Sequence, residues 1–365
     1  MNRIKNIVSV IIFALLIVGT SVACIIKPAD EYSDSERRQL AQLPEISTES
    51  ITKGEFMEGF EECSADQFPL RDKLRSIKAF FTTRVLQKLD NNGLFTADGH
   101  ISKIDDAEND YMTDYASKLF EKVYNQYLKG NKVYFSIVPD KNYALAEKNG
   151  YPSLDYESFA KRMANKVGFA EYIDIFPLLS ADDYYKTDTH WRQENITDIA
   201  EHLASAMGTD AKADYTENTL DLPFYGVYTG QYAMPVDPDT IKYLTNETIK
   251  NCVVTYYDTG MPKAGDMYNM EKAKSKDPYE MFLSGVAPLI TIENPYAKTD
   301  KELVMFRDSY GSSLAPLLAE GYKKITLVDL RYVQSGFLGN LVDFENCDVL
   351  FIYSTALLNN SLAMK

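Results

Sequence analysis

Five short apolar runs, set among stretches of helical pattern, constrain this chain more than any other feature. They are Val133-Tyr134-Phe135-Ser136-Ile137-Val138, Tyr172-Ile173-Asp174-Ile175, Leu303-Val304-Met305-Phe306, Ile325-Thr326-Leu327-Val328 and Val349-Leu350-Phe351-Ile352-Tyr353. Such runs suit strands covered on both faces, because neither side of the strand is left polar. Helical patterns near 156–167, 195–207 and 312–321 separate some of them. This order predicts an α/β domain over residues 131–365, built on a doubly wound parallel sheet. Residues 210–300 are rich in Tyr, Pro, Gly and Asp and break the rhythm, so they read as an inserted irregular region with short strands. A chain of 365 residues, 45% of them hydrophobic, can bury a core of that size.

The N-terminus reads differently. Arg3 and Lys5 precede a mostly apolar, uncharged run from Ile7 to Ile26, closed by Lys27. About 20 residues rising roughly 1.5 Å each span the hydrocarbon core of a bilayer. Basic residues before the run favour an N-terminus inside and the rest of the chain outside the cytoplasm. A retained membrane anchor, a signal peptide cleaved near Ser21 and Ala23, and a lipoprotein lipidated at Cys24 all accommodate residues 1–27.

Residues 28–130 read as a polar stalk followed by a helical lead-in. Leu74, Ile77, Phe80, Phe81, Val85 and Leu89 recur at three- and four-residue spacing, which gives one helix an apolar face. Asn92-Gly93 and Asp98-Gly99 punctuate a hairpin carrying Leu94-Phe95 and Ile101, and a second helix runs from Tyr111 to about Lys129. A net charge of −15 argues against nucleic acid as a partner. Cys63, Cys252 and Cys347, the cysteines after Cys24, form neither a disulfide framework nor a metal motif.

The chemistry concentrates at two places. Asp188-Thr189-His190-Trp191 sets an acid two residues from one of only three histidines, the others being His100 and His202. In an extended segment such residues project to one side. The carboxylate can then hold one imidazole nitrogen and leave the other for a hydroxyl. Downstream, Ser309 follows an apolar strand and precedes the small-residue helix start Gly311-Ser312-Ser313. A serine there lies at the carboxyl edge of the sheet, where open α/β folds bind ligands. Backbone N–H groups at the helix start can face a developing oxyanion. An N-cap for Ser309 and a surface loop for His190 are the plainer alternatives. His100 and His202 are not at metal-ligand spacing from His190, and the set requires no metal or cofactor.

Thr187-Asp188-Thr189-His190-Trp191, followed by a helix, resembles the Asp-x-His-Trp motif of the alginate O-acetyltransferase family and of the related DHHW proteins. Further stretches resemble the DHHW group. They are Glu36-Arg37-Arg38-Gln39-Leu40-Ala41, Gly54-Glu55-Phe56-Met57, Asp66-Gln67-Phe68-Pro69-Leu70-Arg71, Val138-Pro139-Asp140-Lys141-Asn142, Phe282-Leu283-Ser284-Gly285, Asp308-Ser309-Tyr310 and Val328-Asp329-Leu330-Arg331-Tyr332. The chain departs from the pattern at Thr189, where the DHHW motif has His, and at Val286, where the group has Asn.

The resemblance implies an SGNH hydrolase-like fold in permuted order, with acid and base preceding the serine. It implies an extracytoplasmic O-acetyltransferase acting on a cell-surface polysaccharide through an acyl-serine. Ser309 is then the nucleophile, His190 its base and Asp188 the orienting acid. Gly285, Asn142, Tyr310, Trp191 and Lys141 are candidates for holding substrate or the oxyanion. A membrane-bound O-acyltransferase supplying acetyl groups is the implied partner. An acetyl-esterase with the same residues, or a non-catalytic glycan-binding or scaffold protein of the envelope, is the alternative.

Overall fold

The computed structural model describes residues 2–33, 35–258 and 261–365. Met1 of the N-terminal segment, Asp34 of the polar lead-in and residues 259–260 of the expected insertion lie outside the described residues. The chain forms two compact units: Met1–Asn92 with Thr229–Val236, and Gly93–Tyr228 with Asp237–Lys365.

In the first unit, the N-terminal apolar run is one helix, Asn2–Ile26. Its span Arg3–Ile26 has a mean hydropathy of 2.7 and none of it is buried against the protein. The hydroxyls of Thr20 and Ser21 donate back to Leu16 O (2.6 Å) and Ile17 O (2.8 Å), so these two hydroxyls are satisfied within the helix. Helices Thr48–Thr52, Glu55–Asp66 and Arg71–Phe80 follow.

Two of the sequence motifs meet here in one ion-pair network. Arg38 grips Asp66 with two parallel bonds of 2.7 and 2.6 Å. Ala41 N–H adds a third to the same carboxylate, at 2.9 Å. Arg71 and Arg75 close on Glu36 at 2.5 and 3.1 Å.

The second unit carries an eight-stranded sheet. Its strands are β1 (Lys132–Val138), β2 (Glu171–Tyr172), β3 (Val253–Tyr256), β4 (Lys263–Gly265), β5 (Leu289–Glu293), β6 (Glu302–Arg307), β7 (Lys324–Val328) and β8 (Cys347–Ser354). Their spatial order is β4-β3-β5-β7-β6-β8-β1-β2.

β7, β6, β8, β1 and β2 pair in parallel; the first four are runs read in the sequence, and β2 meets the fifth run at Tyr172. Side chains alternate across them into two cores. Leu303 and Met305 of β6 pack with Ile199, Leu203, Leu314 and Leu317 on one face. Val304 and Phe306 pack with Phe120, Phe159 and Met163 on the other. Phe120 stacks within 4.9 Å of Phe351 and 5.2 Å of Tyr353, tying helix Asp110–Val123 to the sheet.

The structure corrects three expectations. The sheet is mixed rather than wholly parallel, because β5, β3 and β4 extend it in antiparallel fashion from inside the region read as an insertion. Their alternation sends Val254, Tyr256, Ile290 and Ile292 into the core. The remainder of that region includes a separate hairpin, Thr216–Phe224 with Asp239–Thr245. The run at 172–175 is a strand only over Glu171–Tyr172, since Asp174 Oδ1 accepts Phe176 N–H (3.0 Å) and turns the chain. The hairpin Leu94–Ala97/His100–Lys103 and helix Asp110–Val123, read as part of the lead-in, belong to the sheet-bearing unit, where the helix buries Phe120 and Val123.

The Asp66 carboxyl is held down to about 2 by its bonds to Arg38; burial opposes this and Ala41 N–H reinforces it. A folded-state value below the ordinary 3.8 gives stability that is present above about pH 4 and lost as pH falls through about 2. Acid unfolding of the wild type should therefore show this step. Asp66→Asn should be less stable at neutral pH and should lack it, and superimposable pH–stability curves would remove Asp66 from the network.

Candidate active site

β6 ends at Arg307, and helix Tyr310–Leu318 begins two residues after Asp308. Ser309 stands at the junction with φ −62° and ψ −24°, and its side chain makes no capping bond. The neighbouring Asp308 takes that structural duty. Its carboxylate accepts Tyr310 N–H (3.1 Å) and, from the end of β8, Ser354 N–H (2.8 Å). The Ser309 hydroxyl is left free to meet His190 Nε2 at 2.8 Å. Gly311 allows the helix to sit this close to β6, because a Cβ there would lie 2.7 Å from Arg307 Cβ.

His190 Nδ1 lies 2.6 Å from Asp188 Oδ1, and the same oxygen accepts His190 N–H at 3.1 Å. The two residues face each other through a turn closed by the carboxylate, not through the extended segment expected from their spacing. Asp188 is buried, and its Oδ2 accepts Val227 N–H at 2.9 Å. Burial alone would raise this carboxyl. The charge and hydrogen bond of His190, with the two backbone N–H groups, outweigh it and hold the group below the usual carboxylate range. An ionised Asp188 fixes the proton on Nδ1 and leaves Nε2 as the acceptor for the serine proton.

The segment before Asp188 is clamped from several sides. Lys141 is fully buried and donates to Tyr185 O (2.8 Å), Lys186 O (3.1 Å) and Asp188 O (2.7 Å). Burial pushes its ammonium down to about 7, while three carbonyl acceptors call for all three of its N–H groups. Asp239 accepts Lys186 N–H (2.9 Å), Thr187 N–H (2.7 Å) and the Thr187 hydroxyl (2.6 Å). Trp191 is wholly buried and donates to Ser313 Oγ (2.8 Å) and Tyr310 O (3.2 Å). Tyr310 OH donates to Thr189 O at 2.7 Å. Together these bonds stitch the loop of His190 to the helix of Ser309.

Asp188, His190 and Ser309 thus come together, with Trp191, Tyr310 and Lys141 buried as their supports. Gly285 and Asn142 are engaged elsewhere. Gly285 (φ +73°) donates its N–H to Phe282 O at 3.1 Å, closing a turn in which Leu283 and Ser284 also have positive φ. Asn142 is buried, and its Nδ2 donates to Asp105 O at 3.3 Å.

Sequence reasoning missed Asp239, Gly226 and Tyr279. The Tyr279 ring lies flat on the His190 imidazole, with centroids 3.9 Å apart and 10° between planes, and its hydroxyl meets Ser313 Oγ at 2.8 Å. The abundance of Tyr in the insertion was the only available signal.

Comparison with solved structures shows a shared fold. A DHHW family protein from Eubacterium siraeum superposes with a TM-score of 0.59 at 21% identity, covering 75% of this chain and 94% of that one. Bacillus cereus PatB1 superposes with a TM-score of 0.56 at 20% identity, over 73% of this chain and 96% of that one. PatB1 with a sulfonyl adduct gives 0.55 at 19% identity, with coverage of 73% and 95%. The folds like this one thus include a member of the group that the sequence motifs resemble. No family model matches the chain, and no curated protein matches it.

Gly226 is the most constrained small residue of the site. A Cβ there would lie 2.4 Å from Asp188 Cβ and from Thr187 C and O. Gly226→Ala should cost about 1–3 kcal/mol by overpacking. It should also shift or abolish the low-field proton NMR signal of the His190 Nδ1–H. An unchanged signal in a stable variant would show that Gly226 does not set the Asp188 position.

Proposed function

We propose that this chain is an extracytoplasmic O-acetyltransferase that acylates a cell-surface polysaccharide through an acetyl-Ser309 intermediate. The observation that carries the reading is the unbroken relay Ser309 Oγ–His190 Nε2–Asp188, at 2.8 and 2.6 Å. His190 Nε2 takes the hydroxyl proton as Ser309 Oγ attacks the acetyl carbonyl of a donor ester. Asp188 keeps the imidazole oriented and stabilises the imidazolium. The Ser309 N–H, at the start of helix Tyr310–Leu318, faces the oxyanion, since the first N–H groups of a helix lack partners within it.

His190 then returns the proton to the departing alkoxide, leaving acetyl-Ser309. In the second half, a sugar hydroxyl gives its proton to His190 and attacks the acetyl-serine. The products are an O-acetyl sugar and free Ser309. Water in place of the sugar gives acetate, which is the esterase outcome.

Trp191, Tyr310 and Lys141 act behind these atoms, because each is buried with its polar group bonded to backbone. Support for transfer to a glycan comes from the motif resemblance and the shared fold. The apolar helix Arg3–Ile26 would hold the chain at the membrane with the site outside, where a membrane-bound acyltransferase can supply acetyl groups.

Intact mass after incubation with a nitrophenyl acetate should rise by one acetyl group in the wild type and not in Ser309→Ala. An adduct that persists in the variant would place the nucleophile elsewhere. With an oligosaccharide acceptor, the label should move to sugar hydroxyls; release as acetate alone would establish the esterase.

Asp188→Asn should remain folded yet lose turnover by about 10⁴, the size of the effect in serine proteases. Wild-type turnover in that variant would exclude the orienting role.

A further inference from the structure

The amphipathic helix of the first unit is turned inside out. Helix Arg71–Phe80 continues in wider turns through Val85. Its buried residue is Ala79, and its inner face is otherwise polar, with Arg71 and Arg75 reaching Glu36. Arg75 also donates to Gly230 O at 2.8 Å. The apolar stripe Leu74, Ile77, Phe80, Phe81 and Val85 faces outward, with Leu89 just beyond the helix end, each residue between 45 and 61% exposed. A soluble protein rarely leaves so continuous an apolar row uncovered.

Charge indicates what covers it. Residues 71–89 contain six basic side chains and one acidic one, within a chain of net charge −15; with Arg71 and Arg75 turned to Glu36, Lys73, Lys78, Arg84 and Lys88 remain for the outer face. At 3.6 residues per turn, Lys78 borders the stripe beside Val85, and Lys73 and Arg84 fall between Ile77 and Phe80. Phe and Leu on one face, with Lys and Arg whose long stems lie along that face and carry their charges to the headgroups, is the composition of a helix lying in a bilayer interface. A second copy would set one basic helix against another. The neighbouring helix Glu55–Asp66 carries Glu55, Glu58, Glu61 and Glu62, which anionic headgroups would repel, so the attraction is local to 71–89.

We propose that the stripe from Leu74 to Leu89 docks on an anionic membrane surface, fixing the first unit to the bilayer independently of the chemistry at Ser309. If helix Arg3–Ile26 is retained in the same bilayer, the contact becomes intramolecular, and modest affinity suffices.

The test uses the full chain reconstituted in phosphatidylcholine vesicles, with or without phosphatidylglycerol, and with bromines on the acyl chains. Trp191, the only tryptophan, is fully buried and supplies the background. Phe81→Trp places a reporter on the stripe. Its emission should fall about twofold with brominated lipid in the anionic vesicles, because an interfacial helix sits about 5–10 Å into the headgroup–acyl boundary. Adding Lys73→Glu, Arg84→Glu and Lys88→Glu should return the emission to its unbrominated level.

Equal quenching with and without phosphatidylglycerol would overturn the assignment to an anionic surface. Quenching by aqueous acrylamide but not by bromolipid would place the stripe in water. Protection from both quenchers would place it against protein, from this chain or a second copy. Either of these two results overturns membrane docking.

Discussion

The site depends on one buried charge. A carboxylate taken out of water is stable only when its oxygens are met by donors or by a cation. Asp188 is buried, and its two oxygens receive His190 Nδ1–H, His190 N–H and Val227 N–H. The same bonds that keep it ionised fix the imidazole, so charge compensation and the orientation of His190 are one arrangement. Moving Asp188 would leave an unpaired charge in the core, which explains why so many groups converge on the few residues before it. Lys141, Asp239 and the bare backbone of Gly226 all press on residues 185–188.

The second half of the relay comes from the sheet. Ser309 follows β6, an interior strand of the parallel part, and Asp308 ties the end of that strand to β8 through Ser354 N–H. This bond relieves Ser309 of capping its own helix. Trp191 and Tyr310 then bridge the loop and the helix, so the 2.8 Å contact between His190 and Ser309 is set by a rigid junction. Tyr279 covers one face of the imidazole with its ring. A ring lying flat on His190 offers its π face to the imidazolium that the proposed reaction requires.

Much of this was legible in the sequence where the determinant is local. Four of the five parallel strands announced themselves as continuous apolar runs, because burial on both faces removes polar alternation; the fifth, Glu171–Tyr172, is a short edge strand that only touches its run. Asp188 and His190 were legible as a pair because they are two residues apart, although a turn rather than a strand joins them. Ser309 was legible as a strand-to-helix junction. The antiparallel strands β3 and β5 were not, since their alternating residues sit in a stretch whose Tyr, Pro and Gly content resembles loop. Tyr279, Asp239 and Gly226 act across 38 to 89 residues of chain, and no periodicity encodes such a contact. Gly285 and Asn142 were chosen from motifs alone, and the fold commits their donors to a tight turn and to Asp105 O.

Helix Arg71–Phe80 shows the other limit of pattern reading. Three- and four-residue spacing reveals that a helix has an apolar face but not which way that face turns. The direction is decided by the polar side. Glu36 and Asp66 are largely withdrawn from solvent, and the cations that pair with them come from Arg38, Arg71 and Arg75. Two of those three are on this helix, so meeting the buried carboxylates turns its basic side inward and its apolar row outward. The rule that fixes Asp188 in the second unit operates here in the first. Where a carboxylate is buried, its partners dictate the local geometry, and apolar surface takes whichever side remains.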